Sequence, residues 1–317
     1  MTKIIKVGVA GAGVFGGYHA SKYARNAQAP LTAVYDPDAQ RAVALAGKHN
    51  VEAISDFEDL LAATDAIIVA APATAHFEIA CAALKAQKHV FIEKPITLNV
   101  ADADTLIDLA SENNAVLQVG HQERYVFEAA GLFGRSRAPL KIDSVRSAAG
   151  SGRCEDVSVV LDLLIHDIDL VRHLSQAEIS SLSAKGGDHE ASAELGLTNG
   201  SVVSLMASRR TPAPERRMTL VYDDGVIEFD FLRRRVSNST PAILQPEMFA
   251  DAPTLAFSDP LAFGANEFIA NIMNGRTPTV SGRDGREALR WALRIEQAAG
   301  IAGQTPEVKE NLERRRA

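Results

Sequence analysis

The chain has 317 residues, 46% of them hydrophobic, with a formal net charge of −7 at pH 7; that length exceeds one ordinary compact domain and predicts two, each able to bury its own core. Acidic and basic residues are interspersed, so no basic face points to nucleic acid, and the triplets Arg233-Arg234-Arg235 and Arg314-Arg315-Arg316 read as solvated surface. Two cysteines, Cys81 and Cys154, lack C-x-x-C or Cys/His spacing, which argues against a disulfide framework or structural zinc; with no membrane-length apolar run and no signal-peptide pattern, the expected location is a reducing cytoplasm.

Along the first 120 residues, short apolar strands alternate with helical stretches. Strands are predicted at Ile4 to Ala10, Leu31 to Asp36, Val51 to Ile54, Ala66 to Ala71, His89 to Glu93 and Val116 to Gly120. Helices are expected over Asp38 to His49, Ala75 to Gln87 and Val100 to Asn113. Strands apolar throughout and separated by helices imply a parallel sheet covered on both faces, a doubly wound α/β domain. After Gly120 the pattern changes. Ser192 to Leu197 and Ser201 to Ala207 flank Asn199-Gly200, and Met218 to Tyr222 and Val226 to Phe231 flank Asp224-Gly225, two hairpins whose turns call for positive φ. A proline-rich stretch from Ser237 to Pro260 reads as a long loop, and helical signatures close the chain at Pro260 to Asn274 and Arg283 to Ala299. The expected organisation is an N-terminal Rossmann domain over 1–122 and an α+β domain with a mainly antiparallel sheet over 123–317.

Gly11-Ala12-Gly13-Val14-Phe15-Gly16 follows the first strand and opens a helix, the context that gives a G-x-G-x-x-G its meaning. Gly11 serves the tight turn, Gly13 the approach of backbone to a pyrophosphate and Gly16 the packing of helix on sheet, while the helix N-terminus offers amide donors. Asp36 lies twenty residues beyond Gly16, at the end of the second strand. A carboxylate there accepts the ribose hydroxyls of NAD and repels the extra phosphate of NADP, so NAD is the expected cofactor. A helix-capping role in the turn Asp36-Pro37-Asp38 is the other reading of this residue, and Asp38 competes for that role.

Asp162 and His166 are four apart in an apolar stretch, with Asp169 three further on, a spacing that puts them on one helix face. Polar groups there need partners, which substrate hydroxyls would supply, and His166 is the natural base for an alcohol proton. A buried core histidine is the bland alternative. A metal held by Asp162, His166, Asp169 and His121 is a weaker one, and no metal is expected. Lys94, at the C-terminal end of a strand in an open α/β sheet, points to the ligand crevice, where an ammonium can stabilise a developing alkoxide.

Glu93-Lys94-Pro95, together with the glycine fingerprint, resembles the Gfo/Idh/MocA family of oxidoreductases. Further similar stretches are Ala71-Pro72-Ala73-Thr74-Ala75-His76, Gly120-His121-Gln122-Glu123-Arg124-Tyr125 and Asp162-Leu163-Leu164-Ile165-His166-Asp167-Ile168-Asp169. The resemblance covers essentially the whole chain. It implies that Lys94 lies beside the nicotinamide and the reacting alcohol, that a cis peptide precedes Pro95, and that Asp162 and His166 serve the same chemistry, Asp162 orienting His166. The implied cofactor set is Gly11, Gly13, Val14, Phe15, Gly16, Asp36, Ala71, Pro72, Thr74, His76, Glu93, Lys94 and Gln122. The implied substrate set is Lys94, Arg124, Tyr125, Arg153, Asp162 and His166; a domain-linking salt bridge is the competing reading for Arg124 and Tyr125.

Where many relatives carry a glycine-rich run, this chain has Gly152-Arg153-Cys154-Glu155-Asp156-Val157-Ser158-Val159-Val160-Leu161. With Gly120 to Tyr125, that segment is similar to relatives that oxidise the 3-hydroxyl of UDP-N-acetylglucosamine. The implied activity is NAD-dependent dehydrogenation of a sugar-like secondary alcohol, with a cyclitol or aldose as the other substrate class and a non-catalytic dinucleotide-binding regulator as the rival function. A homodimer or homotetramer, joined through the second domain's sheet as in relatives, is implied, with neither nucleic acid nor membrane as a partner.

Overall fold

The computed structural model describes residues 4–149, 156–242, 244 and 254–301. In chain order the elements are β1 (Val7–Ala10), α1 (Val14–Tyr23), β2 (Leu31–Tyr35), α2 (Ala39–His49), β3 (Glu52–Ile54), α3 (Phe57–Ala63), β4 (Ala66–Val69), α4 (His76–Lys85), β5 (His89–Ile92), α5 (Val100–Glu112) and β6 (Leu117–Val119). There follow α6 (Glu123–Ala129), β7 (Lys141–Ala149), a π-helical turn at Val160–Leu164, α7 (Ile165–Ser175), β8 (Ile179–Gly187), β9 (Glu190–Leu197) and β10 (Val202–Ser208). The last elements are β11 (Arg210–Tyr222), β12 (Gly225–Asp230), β13 (Arg235–Asn238), α8 (Leu255–Ser258), α9 (Pro260–Asn274) and α10 (Gly282–Ala299).

Two compact units emerge: one of 1–122 with 259–286, the other of 123–258 with 287–317. In the first, six parallel strands run in the order β3-β2-β1-β4-β5-β6. The central strands Val-Gly-Val-Ala and Ala-Ile-Ile-Val are buried at every position, as parallel strands covered on both faces require. The reversal of strand order at β1 and β4 opens a crevice at their C-terminal ends, where open α/β sheets bind ligands.

The segment 259–286 departs from the sequence reading, which gave all of 123–317 to the second domain. Ala265, Phe268, Ile269 and Ile272 of α9 lie in one buried cluster with Ile5, Val7, Val34 and Phe91, and Phe268 meets Phe91 edge to face at 5.8 Å. Asp259 caps α9 through the Ala262 amide and pairs with Lys22 of α1, while Gly275, at φ +61°, ends the helix. Periodicity shows that a helix has an apolar face; it does not show which sheet that face covers.

The second unit holds a seven-stranded sheet in the order β13-β12-β11-β7-β10-β9-β8, antiparallel except where β7 and β10 run parallel. Both expected hairpins form, β9 with β10 and β11 with β12, with positive φ carried by Gly200 and Gly225. The central strand β7, Lys-Ile-Asp-Ser-Val-Arg-Ser-Ala-Ala, is invisible to an alternation test because the face that buries Ile142 also buries Ser144 and Arg146. Arg146 belongs to the charge network around His166.

Candidate functional site

The first unit builds a cradle at the end of β1. Gly11 has φ +105°, and a Cβ there would stand 2.6 Å from the Ala70 carbonyl group; at Gly16 a Cβ would stand 1.8 Å from the Gly11 oxygen. Side chains are excluded at both positions, whereas the space over Gly13 is open to 4 Å. No side chain caps the first turn of α1 and no acidic residue occupies it, so its amides and positive dipole end suit an anionic group such as a pyrophosphate. Val14 and Phe15 expose apolar surface beside that turn.

Asp36 and Asp38 divide the tasks left open by the sequence. Asp38 caps α2, accepting from the Gln40 and Arg41 amides, and pairs with Arg41. Asp36, buried to 6% exposure, accepts from the Ala12 amide at 2.7 Å and the Asp38 amide at 2.9 Å. Its carboxylate is thereby fixed against the glycine loop, where a ribose would meet it.

A second set of contacts positions Lys94. His76 is buried with Nδ1 2.8 Å from the Pro95 oxygen and Nε2 3.0 Å from the Ala71 oxygen, joining the turn after β4 to the turn after β5. The Lys94-Pro95 peptide is cis, as the resemblance implied. Glu93 Oε1 lies 2.8 Å from His19 Nε2, on α1, and 3.5 Å from Gln122 Nε2. Gly120 makes room for this carboxylate, since a Cβ there would stand 2.7 Å from Glu93 Oε2. Lys94 itself is half-buried, while Pro72 and Thr74 are exposed on the turn before α4. His19 was missed from the sequence: it lies inside α1, with no local feature marking its partner 74 residues away.

In the second unit a chain of charges surrounds His166. Its Nδ1 stands 2.8 Å from Glu123 Oε2; Glu123 Oε1 takes Arg146 at 2.7 Å; and Arg146 holds Asp167 through two hydrogen bonds of 2.8 and 2.9 Å. Burial alone would raise the Glu123 carboxyl, but the charges of His166 and Arg146 and their hydrogen bonds overcome it and hold the group well below the ordinary glutamate range.

Asp162, which the sequence expectation set on His166, is held by Arg209. Its Oδ2 accepts from Arg209 Nη2 at 2.9 Å and Nε at 3.2 Å, and the same guanidinium donates to the Val157 oxygen at 3.1 Å. Asp162 lies in the π-helical turn at Val160–Leu164, which leads directly into the α-helix that bears His166. Ser158 Oγ caps this turn, accepting from the Val160 and Leu161 amides at 3.1 and 3.3 Å and donating to Glu296. Burial pushes the Glu296 carboxyl up to about 7, with the Ser158 hydrogen bond acting against it and Asp188 adding to it. Of these groups, Arg209 and Glu296 are contributed from distant segments and leave no sequence signature, whereas Glu123 and Ser158 lie in the stretches that carry the family resemblance.

Two members of the implied substrate set are buried in the second unit. Arg124 is 2% exposed and holds Asp169 in a two-point ion pair, with Nε to Oδ2 at 2.8 Å; Tyr125 is 1% exposed. The pair lies within the second unit and is not the domain-linking salt bridge that competes for Arg124 at the sequence level. Arg153 lies outside the described residues. Among the described residues no three His, Cys, Asp or Glu side chains gather to hold a metal ion, and no helix is long and apolar enough to cross a membrane.

Comparison with known proteins agrees with this geometry. Residues 5–121 match a family model described as an oxidoreductase family with an NAD-binding Rossmann fold, and 137–228 match the GFO/IDH/MocA C-terminal domain. The chain is 35% identical over 312 residues to a UDP-N-acetylglucosamine 3-dehydrogenase of Acidithiobacillus ferrooxidans, covering 93% of this chain and 97% of that protein. A solved structure of that enzyme superposes with a TM-score of 0.84 at 33% identity, covering 93% and 97% of the two chains. A myo-inositol 2-dehydrogenase of Thermotoga maritima is 28% identical over 319 residues, 90% of this chain and 93% of that protein. A glycine cradle with its aspartate, a lysine on the strand-end turn and a matching second unit make this chain a member of the Gfo/Idh/MocA family of NAD-binding oxidoreductases.

Proposed function

We propose that the protein oxidises a secondary alcohol of a nucleotide sugar, the 3-hydroxyl of UDP-N-acetylglucosamine, with NAD in preference to NADP. The observation that carries the chemistry is the pairing of His166 with Glu123 at 2.8 Å, since a base that becomes an imidazolium needs a fixed negative charge beside it. The substrate assignment is supported by 35% identity over nearly the whole chain to an enzyme named for that reaction.

Gly11, Gly13, Gly16 and the amides of Val14 and Phe15 hold the pyrophosphate, Asp36 takes the adenosine ribose, and Ala71, Pro72, Thr74, His76, Glu93 and Gln122 shape the nicotinamide side. NAD, when bound, supplies the hydride acceptor. His166 removes the hydroxyl proton through Nε2, with Nδ1 directed at Glu123. Lys94 donates to the same oxygen and stabilises the negative charge that develops there. Asp162, held by Arg209, accepts a neighbouring substrate hydroxyl. Lys94, Asp162 and His166 thus form the catalytic set, served by two rigid platforms, the Glu93 turn and the Arg146 network. The sheet of the second unit joins copies of the chain into a dimer or tetramer.

The test is absorbance at the reduced-nicotinamide band with stoichiometric enzyme, NAD, and in turn UDP-N-acetylglucosamine, a cyclitol and an aldose, at alkaline pH. A signal with the nucleotide sugar alone supports the proposal. A signal with the cyclitol alone moves the substrate class, and silence with all three despite tight NAD binding supports a regulator instead.

A further inference from the structure

β11 and β7 pair so that Arg216 stands directly opposite Arg146. Directly opposed residues of an antiparallel pair share one face of the sheet, and like charges in that position destabilise it. Arg146 is compensated by Glu123 and Asp167. Arg216 forms no such ion pair: its neighbours Arg217 and Arg233 pair with Glu215 and Asp230, and among the described residues no carboxylate forms an ion pair with Arg216. Arg146, directly opposite, shares Glu123 with His166, which links Arg216 to the His166 cluster; burial and the Arg146 charge push the Arg216 guanidinium below its ordinary value, while Glu123, Asp167 and Asp162 act in the other direction. A cavity of about 310 Å³ opens at Arg216, lined also by Arg217, Leu232 and Arg233. The residues that line it include three arginines and two carboxylates, Glu215 and Asp230, so one positive charge is in excess. A half-buried cation with a like charge opposite and a cavity in front is a site that an anion completes.

We propose that Arg216 is the anion anchor of the substrate pocket and binds a phosphate of the sugar nucleotide's diphosphate. This rests on the nucleotide-sugar reading above and specifies which residue recognises the charged part of that substrate. The guanidinium presents a planar fork to phosphate oxygens, and its place beside the His166 cluster lets a diphosphate be held while the attached sugar reaches the base. Cyclitols and free aldoses carry no group for it.

The test is calorimetric titration of the whole enzyme with UDP and, separately, uridine, in the wild type, Arg216→Ala and Arg216→Lys. Replacement by alanine should weaken UDP binding about 10- to 100-fold, the range for a hydrogen bond to a charged group, and leave uridine and NAD binding unchanged. Lysine should recover part of the loss. The KM for UDP-N-acetylglucosamine should rise by a similar factor with kcat within about threefold. Because the alanine variant loses a like-charge contact, its melting temperature should equal or exceed the wild-type value, so a weak binder is not an unfolded one. Undiminished UDP binding in Arg216→Ala overturns the anchor and leaves the nucleotide-sugar reading standing. Failure of the wild type to bind UDP overturns both.

Discussion

Glu123 bridges two basic side chains, meeting His166 Nδ1 at 2.8 Å with one oxygen and Arg146 at 2.7 Å with the other. Glu123→Gln keeps an acceptor for Arg146 and removes the charge that favours the imidazolium. kcat should fall about 10- to 100-fold, within the range for impaired acid–base catalysis, with NAD affinity unchanged by fluorescence titration. The variant should lose about 1–3 kcal/mol at neutral pH, the cost of weakening a hydrogen bond to a buried charge. Because the folded carboxyl titrates below the ordinary value of 4.5, this stabilisation is complete above that pH and disappears as pH falls through the folded value. Melting curves of the two proteins should therefore converge in acid, and a constant gap down to pH 2 would contradict the assignment.

Glu296 predicts the opposite pH trend. Its carboxyl is raised to about 7, so the folded state keeps the proton that an unfolded chain releases above pH 4.5. Its contribution is most favourable below that point and is lost as pH rises through 7, by on the order of 3 kcal/mol. Glu296→Gln preserves an acceptor for Ser158 and should raise the melting temperature at pH 8 while changing it little at pH 5. Equal effects at both pH values would place the proton elsewhere.

Lys94→Met removes the ammonium while retaining the length of the side chain. Turnover should drop about 10²- to 10³-fold, the loss typical of one preorganised donor at a developing oxyanion, with the NAD dissociation constant within about twofold of wild type. Near-normal turnover would remove Lys94 from the chemistry.

Asp36 performs two tasks, accepting from the Ala12 amide at 2.7 Å and presenting negative charge to a ribose. Asp36→Asn retains an acceptor for that amide and discards the charge, so it isolates the second task. The ratio of NADP to NAD in kcat/KM should rise about tenfold or more, as expected when an acidic residue no longer opposes the extra phosphate. An unchanged ratio would assign cofactor choice to other residues.

How far the sequence carried depended on whether a feature is local. Six strands of the first sheet, both hairpins and the bounds of α9 follow from periodicity and turn chemistry, and Gly11 with Gly16 follow from steric rules that the structure obeys at 2.6 and 1.8 Å. The cis peptide at Lys94-Pro95 was legible only through family resemblance. Long-range partners were not legible. His166 meets Glu123 across 43 residues of chain, Asp162 meets Arg209 across 47, and His19 meets Glu93 across 74; no spacing rule links residues so far apart.

The position of α9 bears on biosynthesis. Its side chains Phe268, Ile269 and Ile272 finish a cluster founded by Ile5, Val7 and Phe91, yet the ribosome delivers them more than 130 residues after β6 ends at Val119. At the usual synthesis rate of about 5–20 residues per second, the nascent cofactor-binding half spends roughly 7–26 seconds with that apolar face uncovered. The second unit is therefore inserted into an unfinished first one, and the dinucleotide fold is vulnerable to chaperone capture and aggregation until the return segment arrives.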